Sequence, residues 1–274
     1  MKISVIITTY KRPAVLERAV RSVASQILPR GIDLELIIHD DDTSGGDLLT
    51  GESSVLRGVP STVQLLCVRR MIGVGGVARA RNRALGMSSG EWVLFLDDDD
   101  ALVAGALDRL VTFAMESGLD FCAGGFKVLS GGADEDAALL PVTVPEWSYE
   151  SLMIGNLFPI GSFIMKRNCV SHVFNPCLAT HEDWLFLLDN LESLNVGILS
   201  QHVLDIFHCD SRLNEHRNER LWTAQKASDY LRIYSLYPSA SLLMKRLLVL
   251  QSMGGVSLER LLVPPDAGPT ERGS

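Results

Sequence analysis

The chain has 274 residues, 47% of them hydrophobic and 21% charged, with a formal net charge of −8. This length suits one large domain or two small ones, and the composition supports a sizeable core and excludes disorder. The acidic balance excludes general nucleic-acid binding and a polybasic membrane anchor, and 5 cysteines without a CxxC pair make neither a disulfide framework nor a zinc site.

Apolar runs such as Val5-Ile6-Ile7 are far shorter than the ~20 residues of a transmembrane segment. The opening Met1-Lys2-Ile3-Ser4-Val5-Ile6-Ile7-Thr8-Thr9 reads as a strand rather than a secretory leader. A soluble, cytoplasmic protein is therefore expected.

Residues 3–9 form an apolar, β-branched run, hence a buried strand. Pro13 opens a helix, since its missing N–H would be unpaired there anyway. Val15, Leu16, Ala19, Val20 and Val23 then recur at helical spacing through Gln26. Residues 34–38 are the next strand, ending in Asp40-Asp41-Asp42, and a Gly-rich loop follows at 43–47. Residues 63–68 read as a third strand, 77–87 as a helix, and 92–96 as a fourth strand that runs into Asp97-Asp98-Asp99-Asp100. Such alternation predicts an α/β fold with a mostly parallel central sheet flanked by helices and joined by right-handed crossovers. Ligands then bind beyond the C-terminal strand ends, where residues 8–12, 40–42 and 97–100 cluster.

The second half is less regular. Residues 105–118 read as a helix, 121–129 and 160–166 as strands, and 130–136 as a loop. A helix starts near Thr180, carrying Trp184, Leu185, Leu187, Leu188 and Leu191. Two short strands follow at 196–200 and 203–207, then helices at 221–236 and 239–253 parted by Pro238. The tail from Pro264 is read as frayed. No internal repeat or low-complexity linker is visible.

Four adjacent carboxylates after a buried strand repel one another, so their placement calls for a reason. In extended backbone Asp97 and Asp99 share one face, with Asp98 and Asp100 on the other. Two carboxylates on one face suit Mg²⁺ or Mn²⁺; the competing reading is a solvated acidic turn. At Asp40 the alternatives are an Asx turn or a carboxylate that accepts an imide N–H from a uracil-like base. Among the basic residues, Arg79 and Arg83 share a helix face and Arg81 points elsewhere, so they cannot all serve one ligand; most are read as a solvated face, and one turned back to the acidic site could pair with a carboxylate or a diphosphate. Gly73-Val74-Gly75-Gly76 ahead of that helix could bring backbone N–H groups to an anion. Thr180 and Asp183 have capping-box spacing. From spacing alone the cap is preferred over a general base at Asp183.

The ordered set of clusters resembles the family 2 glycosyltransferases with a GT-A fold, from residue 3 to about residue 212. Val5-Ile6-Ile7-Thr8-Thr9-Tyr10-Lys11-Arg12 is similar to that family's opening strand, and Ile37-Ile38-His39-Asp40-Asp41-Asp42-Thr43-Ser44 to its V-D-D-G-S segment, with His39 and Asp42 in place of Val and Gly. Ala80-Arg81-Asn82 resembles the A-R-N helix start, Asp97-Asp98-Asp99 the D-x-D metal motif, and Glu182-Asp183-Trp184 the E-D-W segment.

The resemblance implies a metal-dependent inverting glycosyltransferase and reverses the preference at Asp183, which becomes the catalytic base. It places Asp99, Asp97 and His208 at a Mn²⁺ or Mg²⁺ ion. Thr8, Tyr10, Arg12, Asp40, Arg81, Asp97 and Asp98 would hold a nucleotide-sugar, with UDP favoured and dTDP presenting the same base edge. Trp184 and Glu182 would face a sugar-containing or small-molecule acceptor, with residues 156–162 part of the wall. The implied organisation is a glycosyltransferase domain over 1–215, with a nucleotide-binding half at 1–105 and an acceptor half at 106–215. A C-terminal helical extension over 216–263, a candidate homodimer surface, and a flexible tail at 264–274 follow. The alternatives are a nucleotidyl or phosphoryl transferase and a non-catalytic nucleotide-binding member of the same fold.

Overall fold

The structure, a computed structural model, describes residues 1–44, 53–70, 73–130, 142–208 and 219–253; for Ser130, His208 and residues 219–223 it describes the backbone alone. Parts of the expected loops at 43–47 and 130–136, and the whole tail from 264, fall outside the described residues.

The first half follows the sequence closely. It consists of β1 (Lys2–Thr9), α1 (Pro13–Ala24), β2 (Asp33–Asp40), β3 (Val63–Arg69), α2 (Val77–Met87) and β4 (Trp92–Asp97). β1 lies between β2 and β4, and β3 flanks β2, all parallel. Alternation splits each strand between two faces. Ile3, Val5, Ile7, Leu36, Ile38, Leu94 and Leu96 join Leu16, Ala19, Val20 and Val23 of α1 in one buried cluster. α2 packs on β1 and β2.

The second half adds β5 (Ala101–Leu102), α3 (Ala106–Glu116), β6 (Phe121–Ser130), α4 (Tyr149–Leu152), β7 (Phe163–Lys166), α5 (Glu182–Leu191) and β8 (Val196–His208). Among the described residues the strands run in the order β3-β2-β1-β4-β7-β6-β8-β5. β7 is antiparallel to both β4 and β6, β8 is parallel to β6, and β5 is antiparallel to β8. The sheet is thus mixed in its second half, because β7 and β5 reverse direction.

Two expected stretches of the sheet change. β7 is shorter than expected, because Ser162 N–H closes a turn on the Pro159 carbonyl at 3.0 Å and Gly161 sits at φ +93°. A Cβ there would lie 2.8 Å from Leu204 and 3.0 Å from Leu96, so glycine is required. The two short strands expected at 196–207 are one strand, β8, whose register against β6 shifts on both sides of Gly125. The bulge interrupts the period-2 pattern, which is why the sequence reads as two runs.

The chain divides into two compact units. The first comprises Met1–Cys177 and Glu182–Glu215 and holds the whole sheet. The second comprises Leu178–His181 and His216–Ser274, with helices α6 (Glu219–Leu236) and α7 (Leu243–Ser252). Within the second unit, Thr180 N–H and its hydroxyl both donate to Asp229 Oδ2 at 2.8 Å. Arg246 donates to the Tyr237 carbonyl at 2.7 Å and lies over the Tyr234 ring at 4.5 Å. No helix among the described residues is long and apolar enough to cross a membrane.

Candidate active site

Parallel pairing places Thr8 directly between His39 and Asp97, so the ends of β2, β1 and β4 open on one edge of the sheet. β4 stops at Asp97, and the chain turns back so that Asp100 N–H donates to the Asp97 carbonyl at 3.2 Å. The turn ends the strand alternation. Carboxylate oxygens of Asp97, Asp99 and Asp100 all come within 4.8 Å of one another. Asp98 is the one turned away from this group, accepting from Thr9 Oγ1 at 2.7 Å and Arg12 Nη1 at 2.8 Å. The expectation that Asp100 points away with Asp98 is therefore corrected, because it assumed extended backbone beyond Asp97.

Asp97 accepts from Arg81 through Oδ1 at 2.6 Å, Asp99 from Arg12 through Oδ2, and Asp100 takes the Phe207 N–H on Oδ1 at 3.1 Å. One oxygen of each carboxylate remains without a hydrogen bond among the described residues. Burial, with Asp97 and Asp99 adding, pushes the Asp100 carboxyl up to about 8. Burial raises Asp98 to about 6 against the hydrogen bond from Thr9 and the charge of Arg12. Three convergent carboxylates with spare oxygens form an all-oxygen donor set that fits a hard divalent cation. His208 ends β8 opposite Ser130, and its side chain lies outside the described residues.

Arg81 is only 4% exposed. Its two terminal nitrogens reach in different directions: Nη2 to Asp97 and Nη1 to Glu182 Oε1, each at 2.6 Å. One guanidinium thereby joins the end of β4 to the start of α5. Arg81 is the helix arginine that turns toward the acidic site, and of the two partners expected there it meets carboxylates. Arg79 and Arg83 stay at the loop before α2, where Arg79 donates to the Gly75 carbonyl at 3.4 Å and Arg83 to that of Val74 at 3.2 Å. Removing one partner of a buried ion pair costs about 3–5 kcal/mol, because the other charge is left behind. Arg81→Met is thus expected to lower the melting temperature by roughly 10 °C at this chain length. A fall under about 2 °C in a thermal melt would show that the bridge contributes little.

Asp183 lies in the first turn of α5 and is partly exposed. Its Oδ1 accepts the Trp184 N–H at 2.8 Å, and its Oδ2 accepts from Asn156 Nδ2 at 2.7 Å. With Thr180 bonded to Asp229, these are not the bonds of a capping box. Burial, then the neighbouring Glu182, pushes the Asp183 carboxyl up to about 7, against the charge of Arg81. Both acceptor expectations beside it are corrected. Trp184 is fully buried and donates its indole N–H to the Leu152 carbonyl at 2.6 Å, so no face of its ring is open for stacking. Glu182 is buried as the second anchor of Arg81.

At the β2 end, Asp40 is buried, and its Oδ1 accepts the Asp42 N–H at 2.9 Å in an Asx turn. Arg69 Nε lies 3.5 Å from the other oxygen. Thr8 is partly exposed and Tyr10 is 53% exposed, with Lys11 Nζ 5.2 Å from the Tyr10 ring centre. Asp41 was not singled out as a site residue. Its Oδ2 accepts the Gly76 N–H at 2.7 Å and its Oδ1 meets Arg70 Nε at 2.7 Å. The anion expected at the glycine run is therefore the chain's own Asp41. A Cβ on Gly75 would sit 2.4 Å from that carboxylate. Among the described residues, the two non-glycine positions with positive φ are Lys11 at 56° and His181 at 60°. Lys11 leaves β1 and His181 immediately precedes α5. Each costs about 1 kcal/mol, the kind of strain that collects at functional sites.

Comparison with known proteins gives a consistent picture. The family model described as "Glycosyl transferase family 2" matches residues 4–166. The poly(ribitol-phosphate) beta-glucosyltransferase of Bacillus spizizenii is 29% identical over 221 residues, covering 79% of this chain and 33% of that protein. The GalNAc(5)-diNAcBac-PP-undecaprenol beta-1,3-glucosyltransferase of Campylobacter jejuni is 36% identical over 115 residues, covering 42% of this chain and 35% of that one. The chain thus spans about a third of the length of these two curated relatives. The crystal structure of S. aureus TarS 1-349 in complex with UDP superposes with a TM-score of 0.63 at 20% identity, covering 95% of this chain and 77% of that one. At that identity the likeness establishes the fold.

Proposed function

We propose an activity on the premise that the chain belongs to glycosyl transferase family 2 and has its GT-A type fold: transfer of a sugar from a nucleotide-sugar to a hydroxyl-bearing acceptor, with inversion. The observation that carries this reading is the double engagement of Arg81. Through it, the acidic end of β4 and the carboxylate-bearing start of α5 are built as one site.

Asp183 receives the proton of the acceptor hydroxyl as that oxygen bonds to the anomeric carbon. The bond from that carbon to the diphosphate oxygen breaks on the opposite face, which inverts the centre. Asp97, Asp99 and Asp100 would hold Mg²⁺ or Mn²⁺, which would offset the negative charge of the departing diphosphate. Arg81 holds Asp97 and Glu182 in place, and Arg12 holds Asp98 and Asp99. The Asp183 carboxyl, near neutrality, has the proton affinity a general base needs at physiological pH.

Thr8, Tyr10 and Asp40 are assigned to the nucleotide. UDP is the favoured carrier: the solved TarS complex contains UDP, and a strand-end carboxylate suits the imide N–H of uracil. The two relatives' names refer to poly(ribitol-phosphate) and to a diphosphoundecaprenol-linked glycan, so a glycan or polyol hydroxyl is the proposed acceptor class. Nucleotidyl or phosphoryl transfer draws no support from the glycine run, where Gly76 N–H is taken by Asp41.

Turnover is tested by hydrolysis of UDP-sugars with Mn²⁺ or Mg²⁺. The nucleotide assignment is tested at Asp40. Asp40→Ala is expected to raise the donor KM more than it lowers kcat, as when binding common to ground and transition states is lost. Unchanged UDP affinity by calorimetry would leave Asp40 as a turn residue only.

A further inference from the structure

From outside α5, the Asp183 carboxylate is held by Asn156, whose Nδ2 donates to Oδ2 at 2.7 Å. The other end of that amide, Oδ1, accepts the Phe158 N–H at 3.1 Å. This second bond decides the orientation of the amide, because with Oδ1 turned to a backbone donor only Nδ2 can face the carboxylate.

The segment that carries Asn156 is itself fastened. Tyr149 in α4 donates its hydroxyl to the Leu188 carbonyl in α5 at 2.9 Å, and Trp184 in α5 donates back to the Leu152 carbonyl at 2.6 Å. Phe158 is fully buried, its ring 5.2 Å from that of Phe121. The Asn156 amide therefore approaches Asp183 from a segment with little freedom to turn away.

We propose that Asn156 is a positioning residue for Asp183, fixing the carboxylate's orientation and favouring its ionised form by donating to Oδ2. The inference rests on the reading of Asp183 as the base. Charged neighbours act on Asp183 from three elements: Glu182 beside it in α5, Asp97 at the end of β4, and Arg81 in α2. The two acids favour protonation and the arginine opposes it. α4 carries two titratable groups: Tyr149, whose hydroxyl is on the Leu188 carbonyl, and Glu150, which is exposed. Asn156 adds a neutral donor whose bond strengthens as Asp183 loses its proton, which suits a group that must start each cycle ionised. The two bonds occupy one lone pair on each oxygen and leave others for the acceptor hydroxyl.

The test reads the carboxylate directly and needs no substrate. Carboxyl-¹³C-labelled aspartate is followed by NMR against pH in the full chain, and the Asp183 signal is assigned by its loss in Asp183→Asn. Asn156→Leu is expected to raise the Asp183 midpoint by about one unit, a tenfold change in the protonation equilibrium. Asn156→Ala removes the donor without adding a charge, guards against misfolding of the leucine variant, and is also expected to raise the midpoint. A midpoint unmoved in a folded variant would overturn the proposal; a purely structural role for Asn156 predicts that result. Failure of the base reading is recognised separately, as wild-type turnover in Asp183→Asn.

Discussion

Asp183→Asn is expected to lower kcat at least a hundredfold while leaving donor KM near wild type. A general base supplies ~10²–10⁴-fold in rate, and the amide cannot take the acceptor's proton. Thermal stability should change little, because two effects oppose. The folded Asp183 carboxyl is pushed up to about 7 from an ordinary 3.8. Between those values the folded state binds more protons than the unfolded one, so stability falls as pH rises through that window. At pH 8 the ionised carboxylate is a cost that asparagine removes. Against this, an asparagine that keeps its oxygen on Trp184 N–H turns an NH₂ group toward Asn156 Nδ2, and an unsatisfied donor costs about 1–3 kcal/mol. The melting temperature at pH 8 should stay within a few degrees, at about 2–4 °C per kcal/mol. The same shift fixes the pH profile: wild-type kcat should be flat above about 7 and decline below it. The checks are single-turnover rate and melting temperature on one sample. A folded variant with wild-type turnover would remove Asp183 from the mechanism.

Asp99→Asn is expected to lower transfer by about a thousandfold and to weaken donor binding. Divalent-ion stabilisation of transition-state charge is worth several kcal/mol, and each ~1.4 kcal/mol is tenfold. The neutral amide removes one of the three carboxylates that converge after β4. The amide oxygen can still accept from Arg12, which also keeps Asp98 at 2.8 Å, so the turn should persist and the variant should fold. In wild type, chelator should abolish transfer, and added Mn²⁺ or Mg²⁺ should restore it. Full activity in excess chelator would overturn the metal assignment, whatever the variant does.

Much of the fold was legible in the sequence because its signals are local. Apolar runs, β-branched in the first, marked β1 to β4, and Pro13 with its helical spacing marked α1. The range 77–87 expected for the second helix is that of α2. Glu182-Asp183-Trp184 at a helix start and Asp97-Asp98-Asp99 at a strand end could be found the same way, since backbone geometry over a few residues fixes where such side chains emerge. Harder to read were β8, where a bulge breaks the alternation, and β5 and α4, which are two and four residues long.

Only the tertiary structure decided what each side chain meets. Asp100 joins Asp97 and Asp99 because a turn replaces extended backbone, and the dihedrals of that turn are not written in a run of four aspartates. Arg81 clasps Glu182 across 101 positions and Asp97 across 16. Asp41 fills the glycine run 35 residues away, and Asn156 reaches Asp183 over 27. Trp184 was chemically suited to an acceptor and is instead sealed in the core. The reason is the same in each case: local sequence sets the direction of a backbone element, whereas the partner of a charge or an amide is supplied by whichever distant element the packed core brings against it.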